Sequence, residues 1–145
     1  MVFKNFIDKS LPKHIKTGIW ASIVSAIMLI GIGLFWVIHP AASEGSFSIT
    51  PDSDAAIRFS KITAIFKAVG DVIPPIFVLL AIKFKQYRLA GYFHVLTLIL
   101  VIVIDMITWG TYVPNAKPLD ILQHIPFAIP IVIAAYNFLK TNPKN

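Results

Sequence analysis

Apolar stretches separated by short polar ones organise this chain. The first runs from Gly18 to Ile38, about 21 residues without a charge, enough to cross a ~30 Å hydrocarbon layer. The second, Ala55 to Ile82, is polar in its first half, with Arg58, Lys61, Lys67 and Asp71, and clean afterwards. The third, Leu89 to Tyr112, holds Asp105 inside "VIVIDMITWG". The fourth, Ile121 to Leu139, has no charge, but Pro126 and Pro130 should kink it. Thr50-Pro51-Asp52 reads as the N-terminus of the second helix: a cap, a first-turn proline, and an acid favoured by the helix dipole. The pattern predicts an all-α membrane protein, a four-helix transmembrane bundle in one domain. Short loops should make sequential helices antiparallel neighbours.

The opening segment, residues 1–16, places Phe3, Phe6, Ile7 and Leu11 at helical spacing opposite lysines, as an interfacial lead-in would. A cleaved signal peptide would have a shorter apolar core and small residues at its cleavage site. Here the run is longer and ends in His39-Pro40.

Composition agrees with the pattern. Of 145 residues, 57% are hydrophobic and only 14% charged, too little polar surface for a soluble domain; mean hydropathy is +0.76. The absence of cysteine excludes disulfides and thiolate chemistry. The net charge of +6 does not point to nucleic acid, because the basic residues flank the apolar runs; anionic headgroups suit them better. Lys4, Lys9, Lys13 and Lys16, the Lys83, Lys85 and Arg88 loop, and Lys140 and Lys144 would all lie on one side. The other side has Lys117 and, at its margin, Arg58, beside Glu44, Asp52, Asp54 and Asp120. Both termini are therefore expected in the cytoplasm, with the chain in a plasma membrane of bacterial inner-membrane type.

A charge at mid-bilayer costs about 2.5–3.5 kcal/mol on insertion scales, so it should face the bundle interior, water or a partner. On the third helix His94, Thr97, Val101, Asp105, Thr108 and Tyr112 fall in one stripe. On the second, Ser60, Thr63, Lys67, Gly70, Asp71 and Pro74 form another, with Lys67 and Asp71 spaced to pair. Asp120, Gln123 and His124 share a face at the outer end of the fourth, and Trp36 and His39 close the outer end of the first. Asp105, His124 and Lys67 should then converge on one outer-half pocket, with Trp36, Trp109 and Tyr112 at its mouth and Arg58, Asp71, Thr108 and Gln123 around it. His94 reads as a headgroup-level histidine at the other end. Ala21, Ser25 and Gly33 put small residues on one side of the first helix, which suits close packing.

A carboxylate, an imidazole and an amine in such a pocket suit acid–base conversion of a small lipophilic molecule, as in an isomerase, cyclase or hydrolase. Asp105 and His124 would be the acid–base pair and Lys67 the cationic partner. Two other readings stand beside this one: a proton-linked transporter or channel subunit, and a structural or accessory protein whose polar cluster fixes helix register. Without close-spaced histidines or a Glu/Asp-x-x-His pair, no metal site is expected, and no cofactor motif is present. Four short helices barely enclose a cavity, so a homo-oligomer is expected.

The order of "GIGLFWVIHP", "AIFKAVGDVIPPI", "VIVIDMITWG" and "QHIPFAIP" resembles an uncharacterised group of small four-helix membrane proteins of bacteria and fungi. The likeness covers most of the chain and implies a fold but no activity. Styrene oxide isomerase-like proteins are similar in size and helix number, but they hold haem through a histidine, and the second span here has none. The glutathione-using eicosanoid family has an Arg…Asn…Glu pattern in its second helix, of which only Arg58 is present. Sterol-isomerase-like proteins also place acids and aromatics in a membrane cavity, without a matching motif.

Overall fold

The computed structural model describes residues 8, 10–40, 52–112, 122 and 124–140, the side chains of 103–112 excepted. Among them are four helices and no strand: α1 (Lys13–Ile38), α2 (Asp54–Lys83), α3 (Tyr87–Tyr112) and α4 (Ile125–Leu139). Each predicted span corresponds to one helix, and the differences at the ends have local causes. The expected interfacial segment yields its last residues, Lys13 to Lys16, to the first turn of α1. Just before it, Ser10 N–H donates to the Asp8 carboxylate at 2.9 Å, forming a turn rather than a helix. That bond from Ser10, helped by Lys85 and Lys16, holds the Asp8 carboxyl below its ordinary value. The contact therefore acts above the usual carboxylate range and is lost as pH falls through the lowered pKa. Phe3, Phe6 and Ile7 lie outside the described residues.

The N-cap of α2 is Ser53, whose hydroxyl accepts from Ala56 N–H at 3.3 Å, not Thr50; Thr50 and Pro51 lie outside the described residues. The fourth helix begins at Ile125, so Pro126 sits in its first turn, where a missing N–H costs nothing, and only Pro130 is internal. α2 contains adjacent prolines, Pro74 and Pro75, which deny main-chain donors to the carbonyls of Gly70 and Asp71 one turn back. A three-residue turn, Phe84 to Gln86, joins α2 to α3, with Lys85 in the left-handed region at φ 58°.

The helices pack in a ring: α1 against α2 and α4, α3 against α2 and α4. α1 and α3 are thus diagonal partners. The main core lies at the end of the bundle carrying the α2–α3 turn. It takes Ile15 and Ile19 from α1, Val78, Ala81 and Ile82 from α2, Ala90 from α3, and Ala134 and Phe138 from α4. The start of α1 and α3 thus meets the end of α2 and α4, as antiparallel neighbours require. Phe138 fills the centre of this layer. It is fully buried, stacks near His94 and Tyr87, and its ring occupies the space left by Gly18, while Gly91 faces Leu139 and the Phe138 Cβ.

At the other end the contacts are between α1 and α2. Gly33 faces Ala68, Asp71 and Val72, and the Lys67 ammonium lies over the Trp36 ring, 4.8 Å from its centroid. This register leaves the first turns of α2 overhanging the end of α1. Arg58 and Lys61 lie in that overhang and are exposed.

By length and composition, α1 and α2 are apolar enough to cross a membrane, yet only 33% and 28% of their most apolar stretches are buried. A soluble core helix would be mostly covered. Here Ile27, Leu34, Phe59, Phe66 and Phe77 all point outward with more than half their surface exposed.

Candidate functional site

Polar side chains gather in two places on the inner face of α1. The face itself is built from residues three or four apart: Gly18, Ser22, Ser25, Leu29, Gly33 and Trp36 are all buried. Of the small residues expected to pack, Ser25 and Gly33 lie at its centre and Ala21 at its edge, half-buried.

The site at the far end is formed by Trp36, Lys67 and Asp71. Gly33 brings α2 so close that an added Cβ would lie 2.8 Å from Val72 Cγ2, 3.1 Å from the Ala68 carbonyl oxygen and 3.2 Å from Asp71 Cβ. Trp36, one turn on, is 9% exposed, and its indole N–H is buried without a hydrogen-bond partner. An indole can only donate, so this group lacks an acceptor. The cation over its ring raises the electron-rich face as a partner for Lys67 and leaves the edge unused. Lys67 and Asp71 are half-buried, and both engage other groups, as does His124.

Lys67 is shallower than its distance along α2 implies. It lies some 20 Å from the start of its own helix at 1.5 Å per residue, yet it stands beside Trp36, two residues from the end of α1. The overhang accounts for the difference. Arg58 lies in the same overhang and is exposed. The second-helix stripe is turned as well. The face that packs inward is Ala64, Ala68, Pro75, Val78 and Ile82, with Asp71 near its middle and Lys67 at its edge; Thr63 and Gly70 are exposed. Small residues, not polar ones, let the helices approach.

His124 is half-buried at the N-cap of α4 without a capping side-chain bond. The side chains of Asp105, Thr108, Trp109 and Tyr112, and all of Gln123 and Asp120, lie outside the described residues. The expected meeting of Asp105 with Lys67 and His124 lies outside them too.

The second site, near the turn end, was not anticipated. His94 is buried inside the bundle: it is 2% exposed, and its Nε2 lies 2.8 Å from Ser22 Oγ across the bundle diagonal. Ser22 Oγ also donates to the Gly18 carbonyl at 2.8 Å. One hydroxyl hydrogen serves two neighbours, so when it goes to Gly18 the imidazole must be the donor at Nε2, and when it goes to the ring the tautomer reverses. Thr97, 6% exposed, donates to the Phe93 carbonyl at 2.8 Å. Ser25, 2% exposed, has no partner for its hydroxyl. Of the α3 stripe, His94 and Thr97 point inward, but nothing local marks Ser22 as the neighbour of His94. The available signal was the run Gly18, Ser22, Ser25, which puts two hydroxyls on the face that the small residues mark.

Among the described residues, no group of His, Asp and Glu side chains is arranged to hold a metal ion. No protein-family model, no curated protein and no solved structure matches the chain.

Proposed function

We propose that the chain is an integral membrane protein whose far-end half binds a small lipophilic molecule through an acceptor oxygen. The observation that carries this reading is the buried, acceptorless indole N–H of Trp36 beside the Lys67 ammonium. A burial of this kind costs about 1–3 kcal/mol unless an acceptor arrives. A ligand oxygen placed at the indole edge would satisfy the donor and lie near a positive charge. The ligand's apolar remainder would meet the apolar outer surfaces of α1 and α2. Acid–base conversion by Asp105 and His124, with Lys67 as cationic partner, extends the same reading, as does assembly into a homo-oligomer.

All four helices would cross the bilayer with both termini in the cytoplasm. The support is the apolar outward surface of α1 and α2 together with a basic rim at the turn end: Lys13, Lys16, Lys83, Lys85, Arg88 and Lys140. Aromatic rings accompany three of them, with Arg88 over Tyr92, Lys140 over Tyr136 and Lys83 over Phe84. Amphipathic pairs of this type suit the headgroup layer.

Native mass spectrometry of the detergent-purified protein tests the ligand. Wild type should retain a small apolar adduct, and Trp36→Phe and Lys67→Met should lose it. Bare wild-type protein, or an adduct held equally by both variants, rules the reading out. Because the chain has no cysteine, a Lys85→Cys variant tests orientation directly. An impermeant maleimide should label it in inverted vesicles and not in intact cells; labelling in intact cells would reverse the topology.

A further inference from the structure

Among the described residues, the buried polar side-chain atoms without a partner are His14 Nε2, Ser25 Oγ and Trp36 Nε1, and all belong to α1. Their positions, 14, 25 and 36, are eleven apart. Eleven residues at 100° each make three turns and about 20°, so the three atoms lie close to one line along the helix, about 16 Å apart. Unsatisfied polar groups buried in protein are scarce and are usually met by ordered water. Three on a single line through a bundle call for a common cause. Between the first two sits the Ser22–His94 pair, with Thr97 buried on the facing helix.

We propose that the inner face of α1 lines a proton path through the bundle, with internal waters at the unpartnered atoms and His94 as its relay. This rests on the membrane-spanning reading but not on the lipophilic ligand. His94 is the fully buried titratable side chain among the described residues. No charge opposes it from the neighbouring core: α1 offers Ser22 and Ser25, α2 offers Val78, Ala81 and Ile82, and α4 offers Ala134 and Phe138. The nearest charged groups on its own helix and at the end of α4 are Arg88 and Lys140, both exposed and occupied with tyrosine rings.

The transfer step balances without a co-reactant. A proton arrives on one ring nitrogen and the other nitrogen releases its proton to the next hydroxyl or water; a half-turn of the imidazole, with rotation of the Ser22 hydroxyl between Gly18 and the ring, then returns the remaining proton to the exit side and resets the pair. An imposed membrane potential or pH difference drives the flow. At the turn end His14 hands over to the solvent side; at the far end the path reaches Trp36, Lys67 and Asp71. Leu29, buried at 6% exposure between Ser25 and Gly33, is the apolar barrier that separates the two polar stretches.

The experiment uses the full chain reconstituted into liposomes carrying an internal pH-sensitive dye, under a potassium diffusion potential. Flotation on a density gradient shows first whether the protein inserts, so a chain that fails to float defeats the membrane reading itself. For inserted protein, wild type should acidify the lumen faster than empty vesicles. His94→Phe should return the rate to that of empty vesicles, Ser25→Ala should slow it, and Leu29→Ala should raise it. Should His94→Phe not float, the Ser25 and Leu29 variants decide. An inserted wild type indistinguishable from empty vesicles overturns the proposal, as does transport unchanged by these substitutions.

Discussion

Replacing Phe138 by alanine is expected to destabilise the bundle by about 2–4 kcal/mol, the largest loss among single truncations of its described core. In water a Phe→Ala change in a core costs about 3–5 kcal/mol, from transfer of the ring plus the cavity it leaves. If the helices lie in lipid, as proposed, the transfer part shrinks, since acyl chains are as apolar as the core, and the packing part remains. That part is unusually large here. The ring fills the gap left by Gly18, with an imagined Gly18 Cβ only 2.6 Å from Phe138 Cε1, while Gly91 lets Leu139 and the Phe138 Cβ come close to α3, and His94 and Tyr87 stack near the ring. Neither glycine has a side chain with which to refill the space. The measurement is reversible unfolding in mixed micelles titrated with dodecyl sulfate. A midpoint unchanged from wild type would mean that this layer does not hold the four helices together.

Gly33→Leu should do comparable damage by the opposite route. The atoms that its Cβ would meet include the Ala68 backbone carbonyl at 3.1 Å, which cannot move without shifting α2. Forcing a larger residue into a filled space costs about 1–3 kcal/mol, and a branched side chain reaches beyond the first carbon. The expected result is separation of α1 from α2 at the far end, with the turn-end core left in place. Trp36 would then lose Lys67 as its neighbour. Tryptophan fluorescence should shift to the red or blue as the ring changes surroundings, and helix content should hold. A Gly33→Leu protein with wild-type stability and emission would show that the close approach is unnecessary. Gly33→Ala, with a single methyl to place, should fall between the two.

Helix number and the inward turn of His94 and Thr97 were legible because three- and four-residue spacing is a geometric property of the chain. The face of α2 was not. Its polar residues are the conspicuous ones, but the helix packs by its small side chains, and Ala64 and Ala68 attract no notice in a run of alanine, isoleucine and phenylalanine. The start of α4 was misjudged for a related reason: a proline that would break a helix in its middle is welcome in its first turn. Distance along one helix alone does not give the depth of Lys67, which stands beside Trp36 near the end of α1. Neighbouring helices of unequal length set where a residue stands, and the overhang of α2 beyond Ile38 is a tertiary fact that no single segment contains. The Ser22–His94 bond crosses 72 positions of sequence, and nothing local announces it.

The adjacent prolines of α2 give that helix two mechanical parts. Below them, Val78, Ala81 and Ile82 are anchored in the layer around Phe138. Above them, two consecutive rungs of the hydrogen-bond ladder are missing, and the segment bearing Lys67 and Asp71 is attached to its base by a weakened joint. Tilting at that joint would carry the lysine away from Trp36 while the rest of the molecule stayed still. Motion of the far-end arm then needs only that joint to bend, with the layer around Phe138 left in place.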